Sequence, residues 1–388
     1  MNKQIPYGRQ NISQDDINAV VEVLQSVWLT QGPTIERFEN AVAEYCGAKH
    51  AIAVNSATSA LHIACRALEL GPGDYLWTSP NTFVASANCA LYCGASVDFV
   101  DIDPDTCNMS IDHLAKKLAI AEQAGMLPKI VIPVHFAGQS CEMEEIAALS
   151  KRYGFFIIED ASHAIGGSYK QTKVGSCSFS DMTVFSFHPV KIITTGEGGM
   201  VLTNRDDLNQ KLIWLHSHGI TRDPLYLEGE SHGPWYYQQI DLGFNYRMTD
   251  IQAALGLSQL ARIDEFVVRR HYLAERYDQA FRGTPVMPIQ QRDDSYSAYH
   301  LYVIRLQLEK INKTHCQVFN DLREKGILVN LHYIPVHTQP YYKRMGFKNG
   351  DFPNAEDYYS RAISIPLYYD LTGEDQDMVI KSIKEVLN

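Results

Sequence analysis

The chain has 388 residues, 45% hydrophobic and 20% charged, which is ordinary globular usage and enough for a large domain plus a smaller one. Its formal net charge of −11 argues against a basic face for nucleic acid. No apolar run reaches the roughly 18 residues of a membrane span, and the opening MNKQIPYGRQ has no apolar signal region, so a cytoplasmic protein is expected.

In chain order, Gln14 to Val27 fits an amphipathic helix, with Ser13 as N-cap and Ile17, Val20, Val21 and Leu24 on one face. A second helix starts after Thr34. Seven short apolar runs then alternate with helical patterns: AIAVN (51–55), YLWTS (75–79), VDFVDI (97–102), KIVIPVHF (129–136), FFIIED (155–160), MTVFSF (182–187) and MVLTN (200–204). Such alternation predicts an α/β fold with a large, mostly parallel, doubly wound sheet, which binds ligands at the carboxyl ends of its strands. Residues 219–244, rich in Gly, Pro, Tyr and His, read as a long ordered loop. A long helical stretch, 249–281, reads as a connector. A strand at YHLYVIRL (299–306), a helix near 314–325, a strand at ILVNLH (327–332) and a last helix near 373–387 make a small α+β C-terminal domain. The expected division is 1–248, the large domain with the N-terminal segment, and 249–388, the connecting helix with the small domain. Eight cysteines are scattered without a CxxC pair, as in a reducing compartment, and no clustered metal-ligand spacing is present.

Four features carry chemistry. In VFSFHPVKIITTGEGGM (184–200), Lys191 follows an apolar strand. A lysine desolvated there has a lowered pKa and a free amine for imine chemistry, although spacing alone does not separate it from a surface-loop lysine. In FFIIEDASHAIGG (155–167), Asp160 ends a hydrophobic strand, where a carboxylate can hold a pyridinium nitrogen protonated or simply cap a helix. His163 stands three residues on. In NSATSALHIA (55–64), Ser56, Ala57 and Thr58 open a helix whose free N–H groups suit a phosphate, and Ser186 offers a further hydroxyl. In SPNTFVASAN (79–88), Phe83 follows a strand end, where a ring can stack on a planar cofactor or be core. G-x-G-x-x-G, P-loop, H-E-x-x-H and G-x-S-x-G patterns are missing, which argues against dinucleotide, NTPase, zinc-peptidase and hydrolase readings.

The order of these motifs, together with GFNYRMTDIQAALGLSQL (243–260), resembles the sugar-nucleotide aminotransferases of the DegT/StrS family over essentially the whole chain. These are fold type I enzymes of pyridoxal 5′-phosphate (PLP). The resemblance implies that Lys191 holds PLP as a Schiff base and shuttles protons. It implies that Asp160 pairs with the ring nitrogen, that His163 sits by the ring hydroxyl and that Phe83 stacks on the ring. Ala57, Thr58 and Ser186 would hold the phosphate, joined by Asn245 from a neighbouring subunit, so that a homodimer shares its active sites. IPYGRQNI, LTQGPTIERFE (29–39) and LHYIPVHTQPYY (331–342) resemble the subgroup serving pseudaminic acid biosynthesis. For that subgroup the acceptor is a UDP-linked 4-keto-6-deoxy-N-acetylhexosamine (L-altro) and the donor is L-glutamate. Tyr7, Trp28, Leu29, Thr30, His332 and Tyr333 would then line the sugar-nucleotide pocket. Asn81 stands where the family leads one to expect an apolar residue, and facing the cofactor it would alter the hydrogen bonding there.

Three alternatives accompany this reading. Another nucleotide sugar, such as a UDP-4-keto-pentose, is the main one. Family members that dehydrate sugars use a histidine in place of the lysine, and Lys191 argues against that chemistry although His188 lies nearby. A non-catalytic regulator on the same fold would need a DNA-binding domain for which the chain has neither room nor basic patch.

Overall fold

The computed structural model describes residues 3–387. All seven apolar runs become strands of one sheet: β1 His50–Val54, β2 Tyr75–Thr78, β3 Ser96–Phe99, β4 Ile130–Ile132, β5 Phe156–Asp160, β6 Met182–Ser186 and β7 Gly199–Thr203. Their spatial order is β1-β7-β6-β5-β4-β2-β3. Every neighbouring pair is parallel except those of β7, which runs against both β1 and β6. Alternate residues of β1, β6 and β7 enter two different cores. Ile52, Val54, Val184 and Val201 pack on one face, while Ala51, Ala53, Phe185, Met200 and Leu202 pack on the other. Burial on both faces is why these strands read as continuous apolar runs rather than as alternating ones. The run at 129–136 stops early because Pro133 brings no N–H to the ladder, and Val134 rejoins Asp160 in an isolated bridge.

Helices α1 Gln14–Gln25 and α2 Pro33–Cys46 precede the sheet, and α3 Ala57–Ala67, α4 Ala85–Tyr92, α5 Ile111–Ala124 and α6 Met143–Tyr153 connect its strands. After β7 come α7 Asp206–His216, a short ribbon pairing Ile220–Thr221 with Gln238–Gln239 at the base of the 219–244 loop, α8 Asp250–Leu260 and α9 Ile263–Phe281. The expected single helix over 249–281 is therefore two. The chain leaves helical geometry at Arg262 (φ −111°, ψ 8°), whose guanidinium is held by Asp16 and Asn11. In the C-terminal part, β8 Val286–Pro288, β9 Tyr302–Leu306 and β10 Ala362–Ile365 form an antiparallel sheet in the order β8-β9-β10. It is joined by α10 His315–Glu324 and a final helix, Gly373–Leu387.

Two expectations are corrected. The ILVNLH strand is only Ile327–Leu328, and its parallel partner is Ile5–Pro6. Ile5 thus belongs to the apolar core of the small domain, although the division at 248/249 assigned the N-terminal segment to the large one. The outermost residues 1, 2 and 388 of that division lie outside the described residues.

Helix α1 forms as expected, but its apolar stripe does not face the protomer's core. Ile17, Val21 and Leu24 are 47%, 40% and 53% exposed, and the buried residues of the helix are Asp16 and Val23. Asp16 explains the orientation. It closes a capping box with Ser13, and its carboxylate also accepts from Ser258 at 2.6 Å, Gln259 at 2.6 Å and Arg262 at 2.7 Å. Those bonds pin the polar side of α1 onto α8 and turn the apolar side outward. Burial pushes the Asp16 carboxyl up, but the Ser13 N–H, Ser258, Gln259 and Arg262 outweigh it and hold the group below its ordinary value. An Asp16→Ala protein should therefore be less stable by roughly 3 kcal/mol at neutral pH. A depressed carboxylate stabilises above its unfolded pKa of about 3.9 and ceases to as pH falls through the folded value, so the two proteins should converge in strong acid. Urea unfolding at both pH values checks this, and equal midpoints at neutral pH would contradict it.

Candidate active site

The candidate side chains converge at the carboxyl ends of the parallel strands. β5 ends at Asp160 and β6 at Ser186, and β1 leads into Ser56, the N-cap of α3. Because β7 runs the other way, its first residue, Gly199, lies on the same edge. A cavity of about 530 Å³ opens there. Its wall includes Tyr7, Ser56, Ala57, Thr58, Phe83, Asp160, His163, Ser186, Lys191, His332 and Tyr333. Eleven of the fifteen residues singled out from the sequence thus share one cavity.

Lys191 sits in the loop after β6. The loop is closed by Phe187, whose N–H donates to Gly198 O at 2.9 Å and whose carbonyl accepts from Thr195 N at 3.1 Å and Thr194 Oγ1 at 2.9 Å. Burial lowers the Lys191 ammonium to about 8, against the opposing attraction of Asp160. Asp160 is itself buried. Its carboxylate accepts from Ser86 Oγ at 2.5 Å and from the Ser162 N–H at 3.1 Å, and Ser86 is backed by Thr82 at 2.8 Å.

Three buried imidazoles complete this wall. His163 Nε2 lies 3.1 Å from the Tyr333 hydroxyl, and its Nδ1 has no partner among the described residues. Its ring is 4.4 Å from that of His300. His332 Nδ1 lies 2.8 Å from Ser364 Oγ, and its ring is 5.1 Å from that of Tyr7. Burial, reinforced by the nearby Lys191 cation, pushes all three down, His332 to about 3 and the other two well below the usual range. Above mildly acid pH the wall therefore carries neutral imidazoles.

The start of α3 makes the other end of the cavity. Ser56 Oγ accepts the Ser59 N–H at 3.2 Å, and Ser59 Oγ donates to Asn55 Oδ1 at 2.6 Å. The first turn approaches β7 so closely that a Cβ on Gly199 would lie 2.5 Å from Ala57 N and 2.7 Å from Ser56 O. Only glycine admits that approach. Phe83 is 58% exposed, with its ring 6.2 Å from that of Tyr333.

Four sequence candidates lie outside this wall. Asn245 is beside the α3 N-cap, where Asn55 N donates to Tyr246 O at 2.7 Å and Asn55 Nδ2 reaches Asn245 O at 3.5 Å. Trp28, Leu29 and Thr30 follow the exposed end of α1. Thr30 bridges to Thr249 and the Leu29 carbonyl accepts the Asp250 N–H, which fixes them away from this protomer's cavity. Asn81 also differs from expectation. It is buried, does not line the cavity, and uses Oδ1 to accept the Tyr333 N–H at 3.2 Å.

Sequence reasoning missed Ser86, Thr82 and His300. Ser86 was within reach, one helical turn beyond Phe83 in SPNTFVASAN and so on the same side as the cavity. His300 had no local signal, because its neighbour His163 is over a hundred positions away in the chain. Among the described residues no cluster of His, Cys, Asp or Glu is arranged to hold a metal ion, and no helix is long and apolar enough to cross a membrane.

Residues 10–384 match the DegT/DnrJ/EryC1/StrS aminotransferase family. The chain is 41% identical to the spore coat polysaccharide biosynthesis protein SpsC of Bacillus subtilis, over 100% of this chain and 98% of that one. It is 38% identical to the UDP-4-amino-4,6-dideoxy-N-acetyl-beta-L-altrosamine transaminase of Campylobacter jejuni, over 99% and 97%. Among solved structures, Helicobacter pylori PseC, an aminotransferase of pseudaminic acid biosynthesis, superimposes with a TM-score of 0.91 at 33% identity over 99% of each chain. The PLP form of the putative sugar aminotransferase Spr1654 of Streptococcus pneumoniae does so with 0.88 at 31% identity over 99% and 98%. With a lysine and a buried carboxylate in one cavity below a helix N-terminus, and with these matches along its whole length, the chain belongs to the DegT/DnrJ/EryC1/StrS aminotransferase family and is a PLP-dependent aminotransferase.

Proposed function

We propose that the protein moves the amino group of L-glutamate to C4 of a UDP-linked 4-keto-6-deoxy-N-acetylhexosamine of L-altro configuration, a step of pseudaminic acid biosynthesis. The observation that carries the reading is the cavity itself, in which Lys191, Asp160, His163 and the start of α3 face one another. The 38% and 33% identities to the C. jejuni transaminase and H. pylori PseC support the sugar.

The donor set suits PLP. When bound, the cofactor supplies an aldehyde that links to primary amines and a protonated ring that takes up the electron pair released at the neighbouring carbon. Lys191 offers an amine that is substantially neutral near pH 8. Asp160 offers a buried carboxylate for a ring nitrogen, fixed in direction by Ser86 and Ser162. His163 keeps an unpartnered ring nitrogen, Phe83 an exposed face for stacking, and Ser56, Ala57, Thr58 and Ser186 a phosphate end without a cation. In this reading Lys191 takes the α-proton from glutamate and later delivers a proton to C4 of the sugar. The side from which its amine reaches C4 sets the stereochemistry. Tyr7, His332 and Tyr333 form the sugar-facing wall.

A homodimer completes the site. The outward stripe of α1 continues through Val27, Trp28 and Leu29, which are 90%, 53% and 45% exposed, and the 219–244 loop presents Leu225, Trp235 and Leu242 at 86%, 72% and 69%. Apolar exposure of this extent marks an association surface. Packed against a second copy, Trp28, Leu29, Thr30 and Asn245 would serve the partner's cavity.

Three outcomes test this. A Lys191→Arg protein should lose the visible absorbance of bound cofactor and essentially all turnover; retention of both would sink the assignment. Raising pH neutralises Lys191, so labelling of the cofactor-free protein at this residue by an amine-reactive reagent, mapped by mass spectrometry, should rise with a midpoint near 8. A midpoint near the ordinary lysine value of about 10.4 would contradict its burial. Incubation with glutamate and the L-altro keto sugar should give a 4-amino sugar by NMR, whereas product only from a UDP-4-keto-pentose would replace the substrate.

A further inference from the structure

Asn81 is 1% exposed, and its one hydrogen bond crosses the molecule. Its Oδ1 accepts the Tyr333 N–H at 3.2 Å, and the adjacent Pro80 carbonyl accepts the Val336 N–H at 2.9 Å. The loop between β2 and α4 thus grips the segment 333–336 at two points. Tyr333 is held at its far end too. Its hydroxyl lies 3.1 Å from His163 Nε2, and its ring is stacked near that of His163 at an interplanar angle of 24°. Asn81 does not touch the cavity, and its Nδ2 is buried without a partner among the described residues. Burying an amide with its donors unused is costly, so volume alone would favour an apolar side chain at this position. What Asn81 supplies that an apolar residue would not is the acceptor for Tyr333.

We propose that Asn81 is a positioning residue for the amino-group acceptor. By fixing the Tyr333 backbone it holds the Tyr333 hydroxyl between His163 and the sugar subsite, and it acts on the transfer to the keto sugar rather than on the reaction with glutamate. The inference rests on the proposed reading that Tyr333 faces the sugar nucleotide. Lys191 and Asp160 are not bonded to Asn81, so the donor half has no direct dependence on it.

The test separates the half-reactions in the holoenzyme by single turnover. The first is followed by the change in visible absorbance on adding glutamate, the second by adding the UDP-linked 4-keto-6-deoxy-N-acetylhexosamine to the aminated enzyme. Asn81→Leu, close in volume but without an acceptor, should slow the second half on the order of tenfold or more and leave the first within about twofold, since small displacements of a positioned group carry losses of that size. Asn81→Asp keeps the acceptor and should recover most of the second half. Equal slowing of both halves, no slowing of either, or a folded Asn81→Asp protein as slow as Asn81→Leu would overturn the proposal.

Should the aspartate protein fail to fold, the pair Asn81→Leu and Tyr333→Phe decides. Combined, they should slow the second half by less than the product of their separate effects, and a full product would overturn the coupling. A wild type that aminates a different 4-keto nucleotide sugar would remove the substrate reading only, and the same comparison would then be run with the accepted sugar.

Discussion

An ammonium and a carboxylate in one cavity set the terms for the rest of the structure. Lys191 and Asp160 have opposite requirements. Lys191 must be desolvated enough to shed its proton near neutral pH, while a carboxylate in the same surroundings needs hydrogen-bond donors. Burial alone would disfavour charge on both. The protein resolves the conflict with hydrogen bonds placed on one side only. Asp160 receives Ser86 Oγ and the Ser162 N–H, whereas no carboxylate forms a salt bridge with Lys191 among the described residues, and its attraction to Asp160 falls short of its desolvation.

The histidines obey the same constraint. Three imidazoles with ordinary pKa values beside Lys191 would add positive charge to the cavity in mild acid. Their burial forbids it, and Lys191 itself adds to the penalty at each one. These three positions thus offer neutral donors and acceptors across the neutral range, while Lys191 beside them sheds its proton near pH 8. His163 joins this electrostatic wall to the packing of Tyr333, and Tyr333 joins it to the loop from β2 through Asn81.

The sheet was legible because of where it lies. Strands buried on both faces read as apolar throughout, and six of the seven runs betrayed themselves in that way, whereas β3 at the sheet edge alternates exposed and buried residues. That Asp160, Lys191 and Thr58 share one cavity was legible because strand ends and a helix N-terminus place residues by local rules. What stayed hidden depended on partners distant in the chain. The apolar pattern of α1 marked a helix correctly but could not say which way it faced; that was decided by Asp16 meeting Ser258, Gln259 and Arg262 more than two hundred positions away. His300 and the tether of Asn81 to Tyr333 were invisible for the same reason. Trp28, Leu29 and Thr30 were read as cavity residues, and a single chain does not bring them there.

The reversed direction of β7 ties these levels together. In an all-parallel sheet, the strand between β1 and β6 would bring its carboxyl end, with an emerging helix, to the edge where α3 begins. Running antiparallel, β7 instead enters at that edge from the Lys191 loop, so the loop and the start of α3 meet at adjacent strand ends. The meeting is close enough that residue 199 cannot carry a Cβ without striking Ala57 N and Ser56 O. Gly198 is confined as well, by Thr195 Oγ1 and the Met248 side chain. A larger residue at 199 would lift the first turn of α3 away from β7 and change its distance from Ser186 and Lys191, the other end of the group they are proposed to hold. The Gly-Gly pair after Lys191 is a spacing constraint between the amine and the helix dipole.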